Sequence, residues 1–161
     1  MCINCTKGRC SVPFSYKGVI TMTCNQKSAL TTVATATQTV AANGYVNFTS
    51  NNLLTGIAIA HTAGSNSVRL LRGLYLVTLN ADISPTAAGD IGLTLIRDGV
   101  TVAGAEATVT GAVGDTYNVG FATLIRVLPS CCVIDNNAIL QVQATAAGTV
   151  DNVSLSVVKL A

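Results

Sequence analysis

The sequence predicts an all-β fold, an antiparallel sandwich or barrel of about eight to ten strands, on three observations. Apolar and β-branched residues alternate with Thr, Ser and Asn at period two. Turn-forming Gly, Asn, Asp and Pro recur at short intervals. No capped stripe of period 3.6, no heptad and no exact repeat occurs in the chain.

The elements follow in order. Residues 31–40 are β-branched and small, and they break at Ala41-Ala42-Asn43-Gly44. Tyr45-Val46-Asn47-Phe48 is a short extended piece, closed by the turn-prone Thr49-Ser50-Asn51-Asn52. Ile57-Ala58-Ile59-Ala60-His61 makes the next strand, and Gly64-Ser65-Asn66 ends it. Val68-Arg69-Leu70-Leu71 leads through Arg72-Gly73 into residues 74–81, which are apolar on both faces and so expected to be central and covered on each side. Residues 91–97 meet Val100-Thr101-Val102 across Asp98-Gly99, the pair that supplies the positive φ angles of a two-residue hairpin turn. Residues 105–109 form a further strand ending at Gly111. Residues 116–128 place Tyr117, Val119, Phe121, Thr123, Ile125 and Val127 on one face, and Asn118, Gly120, Ala122, Leu124, Arg126 and Leu128 on the other; Pro129 ends the strand. Residues 138–144 and 153–160 are the last two, with Val153, Leu155 and Val157 opposite Ser154 and Ser156.

Composition narrows the function. Of 161 residues, 50% are hydrophobic and only 10% are charged, against about 25% in an ordinary soluble domain. Disordered chains are charge-rich and apolar-poor, so disorder is excluded. No stretch approaches the roughly 18 apolar residues of a membrane-spanning helix. A surface usually about 25–35% charged is here either neutral or covered by other chains, which predicts an obligate oligomer.

The composition changes near residue 30. Residues 1–30 carry Lys7, Arg9, Lys17 and Lys27 and no acid, whereas residues 31–161 are net acidic. This predicts a basic, cysteine-bearing arm (1–30) before a β-rich body (31–161), the trimerisation domain if the oligomer is a trimer. The arm is either a solvated tail or a segment that docks on an acidic protein surface; four spread charges are too few for a nucleic-acid face. Met1-Cys2-Ile3-Asn4 has no basic and apolar leader pattern, so synthesis in the cytoplasm is expected. Cys2, Cys5, Cys10 and Cys24 suffice for one tetrahedral zinc, for disulfides formed after release from the cell, or for free thiols; the spacing leaves all three open. Cys131-Cys132 reads as two thiols at a strand edge, since bonding neighbours to each other is strained.

Catalytic patterns are missing. His61 is the single histidine. Ser65 and Asp82 are conceivable triad partners, but no Gly-x-Ser-x-Gly elbow accompanies them. No phosphate loop or dinucleotide fingerprint occurs. The acids Asp82, Asp90, Asp98, Glu106, Asp115, Asp135 and Asp151 are too scattered for a calcium loop. No catalytic residue is assigned, and an enzyme is not expected.

The order of pieces resembles the tumour necrosis factor and complement-type globular-head jelly roll. The resemblance is carried by the piece ending in Phe48, the Gly56-led strand, Val68-Arg69-Leu70, Gly73-Leu74-Tyr75-Leu76-Val77 and the Asp98-Gly99 hairpin. Gly114-Asp115 precedes the long strand, and Asn137-Ala138-Ile139-Leu140-Gln141-Val142 stands where the family has a Gly-Asp-led strand. The flavour is that of the Thr/Ala-rich bacterial and phage branch, which includes the head of a collagen-like spore-surface glycoprotein, although this chain has no Gly-x-y stalk. The resemblance implies an all-β antiparallel jelly-roll sandwich assembled as a homotrimer, with Tyr75, Val77, Leu79, Phe121 and Val157 packing within each subunit or against its neighbours. It further implies a virion structural protein: a capsid decoration (cement) protein or head fibre of a tailed bacteriophage. The arm would dock on the major capsid protein or another virion protein while the jelly roll projects. The alternative is an adhesion head that recognises a host-surface glycan or protein. No cofactor is implied beyond the open zinc reading, and neither nucleic acid nor membrane is an expected partner.

Overall fold

The computed structural model describes residues 27–128 and 137–161 in full. From the first 26 residues it describes only the backbone of three short strands, β1 (Cys5–Thr6), β2 (Arg9–Ser11) and β3 (Thr21–Met22), which form a small antiparallel sheet with Cys5 opposite Cys10. Every other described element is a strand: β4 (Ala29–Ala34), β5 (Gln38–Val40), β6 (Ser50–Thr55), β7 (Ile59–His61), β8 (Val68–Leu71), β9 (Gly73–Pro85), β10 (Gly89–Arg97), β11 (Val100–Gly111), β12 (Tyr117–Val127), β13 (Asn137–Ala144) and β14 (Gly148–Lys159).

These strands make two facing antiparallel sheets. The first has the order β12-β9-β14-β4-β6, with β5 also paired to β14; the second has the order β11-β10-β13-β8-β7. The chain switches sheets repeatedly, which gives the jelly roll. Period-two alternation builds the core between the sheets. Leu30, Phe48, Leu70, Tyr75, Leu93, Leu140 and Leu155 are fully buried there, together with Val77 and Val157.

Several elements differ from the sequence expectation, each for a physical reason. Residues 31–40 are not one strand: β4 ends at Ala34 and β5 resumes at Gln38. Ser50-Asn51-Asn52 is no turn but the start of edge strand β6, where the Asn51 amide donates to the His61 carbonyl at 3.2 Å. Tyr45-Val46-Asn47-Phe48 is no regular strand: Tyr45 makes an isolated bridge to Gln143, the Val46 N–H donates to the Val142 carbonyl, and Val46 and Phe48 are buried in the core. Residues 100–111 form one strand whose pairing shifts register between Thr94 and Ile96 of β10; Gly104, at φ 78°, accommodates the irregularity. The first body strand opens at Ala29, just before the compositional break, and Leu30 is core.

The largest correction concerns β9. It is central in its sheet, but only its odd-numbered face is covered: Tyr75, Val77, Leu79, Ala81 and Ile83 are buried, whereas Leu76 is 36% exposed. The strand buried on both faces is β10, from Ile91 to Ile96.

Candidate functional site

The uncovered face of the β12-β9-β14-β4-β6 sheet is built by cross-strand register. Leu124 stands opposite Leu76, Leu76 opposite Val158, and Val158 opposite Ala29, which makes one apolar row across four strands. Leu124 is 59% exposed and Val158 40%. The next row is Ala122, Thr78, Ser156, Thr31 and Leu53. Leu128 and Leu160, both exposed, extend the apolar end just past β12 and β14. Contiguous exposed apolar side chains on an ordered sheet face mark an interaction surface.

Along the same face the chemistry turns polar. Asn80 and Asn118 exchange amide hydrogen bonds at 3.1–3.2 Å. Asn118 Nδ2 donates to Asp82 at 2.8 Å, and Asn152 Nδ2 donates to its second oxygen at 3.1 Å. These donors hold the Asp82 carboxyl below its ordinary range. Asp82 is the register partner of Asp151, which accepts from Thr37 and from the Asn152 backbone. Amide donors between the two acids make their proximity tolerable.

The ends of the sandwich differ in charge. Lys27, Arg72, Arg97, Arg126 and Lys159 lie at the end where residue 27 enters the body. Asp98 is the one acid there among the described residues, 3.4 Å from Arg97. Asp82, Asp90, Asp115 and Asp151 lie toward the opposite end, near the 86–88, 112–116 and 145–147 connections. Arg69 and Glu106 sit mid-strand. Sequence order hides this sorting: Asp82 and Asp151 come from distant strands and are brought together only by register.

Tyr75, Val77, Leu79 and Val157 are buried inside the subunit, and Phe121 packs against that core partly exposed. The side chains that sequence reasoning missed are their neighbours of opposite parity, Leu76, Leu124 and Val158. The two faces of residues 116–128 contained the signal, but nothing in a sequence says which face lacks a partner. The Tyr75 hydroxyl donates to the Leu71 carbonyl at 2.6 Å, and burial pushes its pKa up. That group is structural.

His61 forms no triad. Nδ1 lies 2.6 Å from Asn51 Oδ1, Nε2 lies 3.2 Å from the Ser65 carbonyl, and the ring meets Phe48 edge to face at 6.0 Å. The Ser65 hydroxyl instead bonds Ser67, and Asp82 is engaged by the asparagines. Among the described residues no group of three or more His, Cys, Asp or Glu is placed to hold a metal ion, and no helix is long and apolar enough to cross a membrane. Lys7, Lys17, Cys2, Cys24 and the Cys131-Cys132 pair lie outside the described residues, and of Arg9, Cys5 and Cys10 only the backbone is described. Lys27 is exposed at the foot of β4.

No family model matches the sequence, and no curated protein matches it. Solved structures do match. Murine APRIL at pH 5.0 superposes with a TM-score of 0.64 at 16% identity, covering 84% of this chain and all of that one. The two share a jelly-roll fold. The globular domain of zebrafish complement 1qA superposes at TM-score 0.63 and 10% identity, covering 84% of this chain and 98% of that one. The PRD1 vertex protein P5 superposes at 0.56 and 14%, covering 85% and 99%. Identities this low establish the fold and nothing finer.

Proposed function

We propose that the chain is a virion structural protein: a homotrimeric capsid decoration protein or head fibre of a tailed bacteriophage, whose arm docks on the shell and whose jelly roll projects. The observation that carries this reading is the apolar row Leu124, Leu76, Val158 and Ala29 on an otherwise charge-poor body. Covering it with neighbouring copies removes apolar surface from water, and three linked arms then gain avidity over one. The fold likeness to a phage vertex protein supports the virion setting.

The test removes residues 1–26, which leaves every strand of the two large sheets in place. The truncated protein is expected to keep its oligomeric mass and to lose binding to capsid particles that lack the protein. Undiminished decoration by the truncated protein would refute arm anchoring. Specific signals on a glycan array would favour the adhesion reading.

A further inference from the structure

We infer that the arm-bearing end of the body is itself a docking surface, shaped for an acidic face of a partner protein. That the partner belongs to a virion shell rests on the function proposed above; its chemistry does not. Arg72, Arg126 and Lys159 converge on an open cleft of about 720 Å³ that Leu74, Val127 and Ala161 also line. Arg126 is shared with a neighbouring cleft of about 470 Å³, whose lining includes Arg97, its ion-pair partner Asp98 and the exposed Val100. Arg97 donates to the Arg126 carbonyl at 3.1 Å, which sets the two openings side by side.

The electrostatics of this end are unbalanced within the body. Arg72, Arg126 and Lys159 have no ion-pair partner among the described residues; the one described acid at this end, Asp98, pairs with Arg97, and Asp82, Asp90, Asp115 and Asp151 lie toward the far end. The chain then adds Lys7, Arg9 and Lys17 through an arm that enters at this same end. Gathering like charges costs free energy unless a partner supplies the opposite sign. The lining also selects the kind of partner. Guanidinium groups beside the exposed Val100 and the half-buried Leu74 are typical of protein interfaces, where Arg is enriched. A single-stranded nucleic-acid face would show denser cations with aromatic stacking platforms.

The experiment measures fluorescence anisotropy of a labelled poly-L-glutamate of about 20 residues with the full chain, at about 50 mM and about 200 mM salt. Wild type is expected to bind, and to weaken at least about tenfold at the higher salt. The variant Arg72→Ala/Arg126→Ala/Lys159→Ala is expected to lose at least about tenfold in affinity at low salt. The milder Arg126→Gln is expected to lose about threefold while melting like wild type, which controls for folding. Asp90→Asn/Asp115→Asn at the far end is expected to change binding less than about twofold. A triple variant that binds poly-L-glutamate within about twofold of wild type overturns the proposal. So does tighter binding of a short DNA duplex at equal charge. Salt-sensitive end-to-end self-association abolished by the triple variant overturns the choice of partner, since the occupant would then be a second copy. Poly-L-glutamate needs no capsid: loss of capsid binding with intact polyglutamate binding would count against the virion reading alone.

Discussion

Consider Leu124→Asp on the open sheet face. At about 2 kcal/mol for a fully buried aliphatic side chain, covering the exposed remainder of Leu124 is worth roughly 1 kcal/mol, and covering Leu76 and Val158 somewhat less each. Aspartate forfeits that gain and places a carboxylate in the same apolar row, which costs several kcal/mol more once water is excluded. Each of three subunits carries the change, so the loss across a trimer is on the order of 10 kcal/mol. An assembly of that kind falls apart at micromolar concentration. The subunit itself should survive, because the core is built from the opposite face of β12, through Ile125 and Val127. Light scattering coupled to size exclusion is therefore expected to report three times the 16.4 kDa chain for wild type and a single chain for the variant. Far-UV circular dichroism should be the same for both. Retention of the full trimer mass by Leu124→Asp at about 1 μM would refute the assignment of this face as the assembly surface.

Other outcomes follow from the same structure. Tyr75→Phe removes the hydroxyl that donates to Leu71 and leaves that carbonyl without its donor, so thermal or urea unfolding should show a loss of about 1–2 kcal/mol. Gly148→Ala would set a Cβ 2.6 Å from the Ser84 carbonyl and 2.5 Å from the Ile91 methyl, and the melting temperature should fall by several degrees at roughly 1–3 kcal/mol of overpacking. Asp82 has a folded pKa below its ordinary 3.8, so its contribution is present above that pH and is lost as pH falls through the lowered value; Asp82→Asn should flatten the melting temperature profile on the acid side of pH 4. Native mass spectrometry with chelator and then reductant separates the readings of the arm cysteines. Free thiols predict an unchanged mass in both, zinc a loss on chelation, and disulfides a gain of two mass units per bridge on reduction.

Much of the fold was legible because burial on one face writes a period of two into the chain. Val153, Leu155 and Val157 announced β14, and Asp98-Gly99 announced its hairpin, with Asp98 and Gly99 at φ 51° and 81°. The failures have local causes. Ser50-Asn51-Asn52 carries turn residues, yet as an edge strand it needs only one ladder: the Thr32 hydroxyl donates to the Ser50 carbonyl, and the Asn51 side chain donates across to His61 of β7. β9 misled because an apolar outer face looks the same in sequence whether another layer of its own chain or a separate molecule covers it. The bulge at Asp151 and Asn152 lets Val150 and Val153, three apart, both face inward, which strict alternation forbids. The charge poles were invisible for a simpler reason: antiparallel strands return to the same end at intervals that vary with strand length.

The acidic end offers a practical opportunity. The turn before β12 projects there, away from the entry point of the arm, and at Gly114, with φ 89°, a side chain would meet nothing within 4 Å. Its neighbours, residues 112–116, are all exposed. A foreign peptide spliced into this loop would leave the core and the basic end untouched. In the proposed trimer, three copies would then be presented together, at the end away from the proposed docking surface. If the poles orient the molecule as proposed, the same separation would make it a scaffold for multivalent display.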